Sequence, residues 1–326
     1  HYSAWSNTVE YTSGMLAQSN YPKMSAFNNG AKVVRSGNNV YVVYASGNWG
    51  GRHLYLLTSS DGGAGFSQPY ELHKMYVEQY YKSSPAIGMA NDGTPYIVWG
   101  SIYYTTSGYL GTAGWFRGYF CAHRSGNTWQ IYEIYGEKIN KNPPNWQPSE
   151  DLLGPPSIAI TPDSGYVAFK HPYGIRTIRF ALADLTSSTT DIPNPGNFTQ
   201  LLSIGYDKAG RLAVLVEEVA YGPLRLFYRS LGQGSWQSVE IPNGCALGMP
   251  SLWPGSNELR IAFEGYNDST QSDGLFFLRI SWQNNTYDVN QPWELVSSYF
   301  DCDPNWIEGY SYLADKDVVL WKYNND

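Results

Sequence analysis

Six stretches of this 326-residue chain each close an apolar run on an aromatic residue or valine, and the residues just beyond them are the ones able to do chemistry. In order they read Ala45, Gly100, Lys170, Glu217, Glu264 and Lys322, with His171, Glu218, Tyr266 and Tyr323 close behind. Four successive stretches therefore offer Lys, Glu, Glu and Lys at one register position. Two carboxylates beside cations are what glycoside hydrolysis needs: one protonates the leaving oxygen while the other attacks the sugar or activates water. Strand ends are also where charged side chains reach solvent, and that reading asks no chemistry of them. The spacing on a ring of repeats favours Glu217 or Glu218 with Glu264 as an acid and base or nucleophile pair. It calls for no cofactor and no metal.

The elements that must position these residues are hairpins. Leu201–Tyr206 and Arg211–Val216 read as two apolar strands around a turn at Asp207–Gly210, and the pattern recurs in 31–45, 85–100, 156–170, 250–264 and 310–322. A third strand and a fourth beginning near an aromatic follow most copies: 53–59 then 66–72, 118–124 then 129–135, 224–230 then 236–241, and 275–281 then 293–296. In the third copy the hairpin is clear, but the elements after it are blurred: 176–183, then a Ser/Thr/Pro-rich tail. Four antiparallel strands per copy predict an all-β, six-bladed β-propeller spanning 1–326 as a single domain. The N-terminal Trp5–Tyr11 resembles the fourth strands and is expected to close the ring in the last blade.

Composition agrees with short strands and many turns: 33 Gly, 19 Pro, 28 Tyr and 12 Trp, against 15% charged residues. A net charge of −7 disfavours nucleic acid and anionic membranes as partners, since both demand a basic patch. No run of 18 apolar residues is present to span a bilayer. A start at His1 without Met, and sequons at Asn197, Asn267 and Asn284, lead us to expect an extracellular, secreted protein.

The turn Ser59-Ser-Asp-Gly-Gly-Ala-Gly-Phe66 fits S-x-D-x-G-x-x-[FW], and here the chain resembles the sialidase-like, Asp-box (BNR-repeat) propellers. The resemblance implies that Asp61 serves a turn between third and fourth strands, away from the substrate face. It also implies a Tyr nucleophile with a Glu partner and three arginines that hold a carboxylate. Tyr310-Ser-Tyr-Leu313 looks like the Tyr motif, Glu217 or Glu218 like the partner, and Arg225 like one arginine. The other two arginines have no counterpart around Gly30–Val33 or at Asp273 and Gly274, which leaves a sialic acid carboxylate without its clamp. Ser311 aligns with Ser157, Ser203 and Ser251, so the Ser of the motif is a repeat feature.

The loops after the second strands differ from copy to copy, which predicts one asymmetric site on the axis and an oligo- or polysaccharide partner. In this reading Lys170, His171, Arg225 and Lys322 position anionic or hydroxyl groups. Trp49, Tyr104, Trp115, Tyr173, Tyr266 and Tyr310 form sugar-facing walls, with Arg52 beside Trp49. Packing between blades accounts equally well for such aromatics. Two alternatives stand beside the hydrolase: a non-catalytic glycan-binding or surface-assembly module, and a polysaccharide lyase using His53 or His73.

Three cysteines cannot all pair within the chain: Cys245 with Cys302 and a buried Cys121 thiol is one expectation, three reduced cysteines the other. The last copy is short by about one strand. The closing blade is therefore expected either to shift its N-terminal strand inward or to leave an edge open for a strand-addition partner.

Overall fold

The computed structural model describes residues 31–46, 53–72, 79–82, 85–105, 113–139, 154–171, 174–192, 202–207, 209–217, 222–232, 235–242, 244–246, 250–255, 258–297, 311–312 and 319–320. These residues form strands and turns, with no helix among them. Sheet one comprises Val33–Ser36, Asn39–Ser46, His53–Ser59 and Tyr70–Glu71 in that order, all antiparallel. Sheet three repeats the order with Ser157–Ile160, Ser164–His171, Gly174–Ala181 and Ser187–Ile192. Sheet four does so with Leu202–Asp207, Arg211–Glu217, Leu224–Ser230 and Gln237–Ile241.

Sheets two and five carry longer central hairpins. In sheet two, Ala86–Met89 and Gln79–Lys82 share the long strand Pro95–Thr105, which continues into Gly114–Ser125 and Thr128–Lys138. In sheet five, Ser251–Pro254 and Gly244–Ala246 share Glu258–Asn267, while Thr286–Asp288 and Glu294–Ser297 share Ser272–Gln283. A two-stranded pair, Ser311–Tyr312 with Val319–Leu320, completes the described sheets. Ser311 opposes Leu320, one residue before Trp321, just as Ser157 opposes Ala168, one before Phe169. The last pair therefore keeps the register of the others.

The innermost strands lie side by side in chain order, from sheet one through sheet five, and Ser311–Tyr312 lies beside Val33–Ser36. That stacking is propeller-like: sheets two, three and four each bury one face on the preceding sheet and the other on the next. In sheet three, Val167 and Phe169 pack with Val98 and Tyr119 of sheet two, while Tyr166 and Ala168 pack with Leu212 and Val214 of sheet four. Alternation along one strand thus serves two cores, which is why these strands read as continuous apolar runs. The repeated Ser ties neighbours together near the axis. Ser157 Oγ accepts from the Ile204 amide at 2.9 Å, and Ser203 Oγ accepts from the Leu252 amide at 3.0 Å. In sheet one the equivalent position is Lys32, an ammonium with no acceptor, and the Ile87 amide bonds the Ala31 carbonyl instead, at 2.9 Å.

The turn after His53–Ser59 is held by its own side chains. Ser59 Oγ donates to Asp61 Oδ1 at 2.6 Å, and Asp61 Oδ1 accepts the Gly65 amide at 2.9 Å. Gly62 and Gly63 take φ of 80° and 99°, which a side chain would strain. Asp61 is spent on the turn. Two sequence readings change. The tail of the third copy contains a fourth strand, Ser187–Ile192, whose Ser/Thr-rich outer face is exposed and carries no apolar signal. The sequon residue Asn267 is buried, its Oδ1 accepting the Ser269 amide at 2.9 Å, whereas Asn284 is exposed in a turn. Cys121 is buried with a free thiol, pushed upward in pKa by that burial. Asn197, Cys302 and the Trp5–Tyr11 strand lie outside the described residues.

Candidate functional site

The ends of the second strands and starts of the third strands define one face of the assembly, the mouth face, opposite the Asp61 turn. The long hairpin of sheet two carries most of the described chemistry there. Pairing sets Tyr104 opposite Trp115, Arg117 opposite Glu137, and Tyr119 opposite Tyr135. Opposed residues of an antiparallel pair share a face, and alternation brings Trp115, Arg117 and Tyr119 to one side. That side looks at sheet three, because Tyr119 and Tyr135 lie against Phe169, ring centroids 4.2 Å and 5.5 Å away.

Tyr104 and Trp115 meet edge to face, centroids 5.3 Å apart at 62°. Next along the strand comes a polar floor. Arg117 Nε bonds Glu137 Oε1, and the Tyr135 hydroxyl donates to Glu137 Oε2 at 2.8 Å. From sheet three, Arg176 Nη1 donates to the Tyr135 hydroxyl at 2.6 Å while its Nε and Nη2 hold Asp191 at 2.7 and 3.0 Å. His171 is buried, its Nε2 lying 3.3 Å from both Glu137 Oε2 and Arg176 Nη1. The tautomer decides which bond forms: protonated Nε2 donates to the carboxylate, and bare Nε2 accepts from the guanidinium.

The electrostatics follow from these contacts. Burial works against the Glu137 charge, yet the Tyr135 hydroxyl, Arg117 and His171 together hold its carboxyl below the ordinary value. Burial and then the Glu137 carboxylate push Tyr135 up to about 12, so its phenol stays protonated. Burial lowers His171, with the nearby arginines adding to that and Glu137 opposing it, so the ring is neutral at pH 7. Asp191 raises Arg176 and is itself lowered by it. The floor therefore holds two cations and two anions, cross-paired, around a neutral imidazole and a neutral phenol. Such a surface donates and accepts hydrogen bonds in fixed directions beside an aromatic wall.

A second carboxylate of sheet two, Glu133, faces the other way. A bulge between Tyr119 and Phe120 turns it toward Tyr103, whose hydroxyl it accepts. Burial raises its pKa, partly offset by that bond. Glu133 and Glu137 stand on opposite faces of one sheet and form no acid and base pair. Among the described residues no group of three His, Cys, Asp or Glu is placed to hold a metal.

Of the residues expected from the sequence, the structure brings together Tyr104 with Trp115, and sets His171 on the floor two residues from Phe169. Lys170 stands on the opposite face of its strand, with Tyr166 and Ala168 toward sheet four, and burial lowers its pKa. Arg225 pairs with Glu240 at 3.1 Å, in the register position that Arg176 and Asp191 occupy in sheet three. Tyr266 donates to Gln271 at 2.9 Å, and His53 Nδ1 lies 2.8 Å from Glu71. Glu217, opposite Leu224, and Glu264, opposite Leu275, hold equivalent positions in successive sheets. Glu217 is buried on the face bearing Ala213 and Leu215, toward sheet five. Trp49, Arg52, His73, Tyr173, Glu218, Tyr310 and Lys322 lie outside the described residues.

Sequence reasoning missed Arg117, Tyr135, Glu137, Arg176 and Asp191. The period-two spacing of Trp115, Arg117 and Tyr119, and of Tyr135 and Glu137, is a usable signal once the two strands are known to pair.

No protein-family model and no curated protein matches the chain. Solved structures do. A protein of unknown function from Dyadobacter fermentans is similar with a TM-score of 0.56 and 10% identity over 90% of this chain and 88% of that one. A point mutant of the NanB sialidase from Streptococcus pneumoniae is similar with a TM-score of 0.57 and 10% identity, covering 92% of this chain and 64% of that one. At such identity the likeness shows the fold alone: an all-β, propeller-like stack of antiparallel sheets, several of them four-stranded.

Proposed function

We propose that the chain closes into six blades, the last built on the 311–312 and 319–320 pair, and acts on an oligo- or polysaccharide at the mouth face. The supporting observation is the Tyr104 and Trp115 wall standing beside the Arg117, Tyr135, Glu137, His171 and Arg176 floor. Sugars present apolar ring faces ringed by hydroxyls, and this pairing of an aromatic plane with convergent donors and acceptors suits both. The chemistry proposed is glycoside hydrolysis by a secreted enzyme, with Glu264 and either Glu217 or Glu218 as the two carboxyls. One carboxyl protonates the glycosidic oxygen and the other attacks the anomeric carbon or activates water. The floor binds and orients the sugar and takes no proton from it, since its own charges are already paired.

That pairing also favours a second reading, recognition of a glycan without cleavage. Incubation with plant, algal and animal polysaccharides separates the two. Hydrolysis releases reducing ends, a lyase releases ultraviolet-absorbing unsaturated ends, and a binding module releases neither. For the hydrolase, Glu264→Gln is expected to abolish release while leaving the unfolding free energy within about 1 kcal/mol of the parent. Undiminished release by Glu264→Gln removes that residue from the chemistry.

A further inference from the structure

A cleft of about 530 Å³ opens on the opposite face of the molecule, between the Asp61 turn of sheet one and the third strand of sheet two. Its lining includes Asn39, Tyr41, Thr58, Ser60, Phe66 and Arg124. The volume falls within the range of small-ligand sites, about 300–1,000 Å³. Several features distinguish it from an ordinary crevice between blades. Its polar lining consists of hydroxyls, one amide and one guanidinium, and no carboxylate lines it. The Arg124 guanidinium is exposed and bonds neutral groups, the Gly126 carbonyl at 3.1 Å and the Tyr41 hydroxyl at 3.5 Å. Its charge therefore meets no counter-charge among the described residues, on a chain whose net charge is −7. The Tyr41 ring is buried and fixes the hydroxyl that Arg124 touches, and the half-buried Phe66 ring supplies an apolar surface.

We propose that this cleft is a second ligand site, separate from the mouth face, for a saccharide bearing one anionic group. Arg124 pairs with the anion, either a uronate carboxylate or a sulfate ester. Asn39, Thr58 and Ser60 meet the ring hydroxyls, and Phe66 takes an apolar ring face. The turn that carries Ser60 and Phe66 is pinned by the Ser59 and Asp61 bonds, so the site is held in shape without ligand.

The test is titration of the whole chain with glucuronate, galactose 6-sulfate and neutral galactose, followed by protein NMR. Wild type is expected to bind at least one anionic sugar about tenfold more tightly than galactose, in line with a charge-assisted hydrogen bond. The arm that binds better identifies carboxylate or sulfate as the anion. Arg124→Ala is expected to lose that preference, and Tyr41→Phe, which keeps the buried ring, to weaken it. Equal binding of charged and neutral sugars by wild type, or an undiminished anionic preference in a folded Arg124→Ala variant, overturns the proposal.

Discussion

Lys32 stands just before the inner strand of sheet one, at the register position that Ser157, Ser203 and Ser251 hold in other sheets, and the Ser157 and Ser203 hydroxyls there accept an amide from the next sheet. Its ammonium instead donates to the Pro85 carbonyl, and burial brings its pKa from 10.5 down to about 7. Because the folded value lies below the unfolded one, the unfolded chain keeps a proton that the folded protein has released between about pH 7 and 10.5. Stability therefore rises with pH across that window, and the full cost of the buried charge is present below it. Lys32→Met keeps the stem and removes the charge. It is expected to raise stability at pH 6 by on the order of 2–4 kcal/mol, the gain fading toward pH 10. Denaturant midpoints of both proteins at pH 6, 8 and 10 check this, and a difference independent of pH contradicts it. The floor residues behave differently, since Glu137 and Asp191 are ionised beside Arg117 and Arg176 and gain from those partners.

At the scale of the strand, the long hairpin of sheet two depends on close approach to its outer strand. A Cβ on Gly118 would collide with the Tyr135 carbonyl, a backbone atom, and would meet Glu133 Oε1 at 2.9 Å. Gly118→Ala is therefore expected to cost about 1–3 kcal/mol by forcing the two strands apart, read as a lowered unfolding midpoint. An unchanged midpoint would show that the bulge beside Glu133 relaxes freely. The hairpins themselves were legible in the sequence because their causes are local: turn residues such as Asp207 and Gly210 flanked by apolar runs. Observed bounds of Leu202–Asp207 and Arg211–Glu217 differ from the reading by a residue at the ends. The outer strand Ser187–Ile192 was not legible, since an exposed edge with five exposed residues before Ile192 has no burial pattern to report. The floor was hidden for another reason. Arg117, Glu137, His171 and Arg176 come from four strands of two sheets, and their meeting depends on a register that includes a bulge.

At the scale of the whole molecule, repetition supplies the frame and departures from it supply the chemistry. Sheets three and four keep an Arg and acid pair at one register position, whereas sheet two extends its hairpin and moves its own pair, Arg117 and Glu137, outward beneath Tyr104 and Trp115. That asymmetry makes one part of the mouth face unlike the rest. That asymmetry supports the glycan site proposed for the mouth face, and the Trp115 ring is the part of that site whose loss is read most simply. The direct measurement is the retardation of wild type and Trp115→Ala in native gels containing plant, algal or animal polysaccharides. The account predicts that at least one polysaccharide retards the wild type and that Trp115→Ala binds it about tenfold more weakly, as expected for a lost aromatic stacking surface. Absence of retardation by every polysaccharide, or equal retardation of the two proteins, would contradict it.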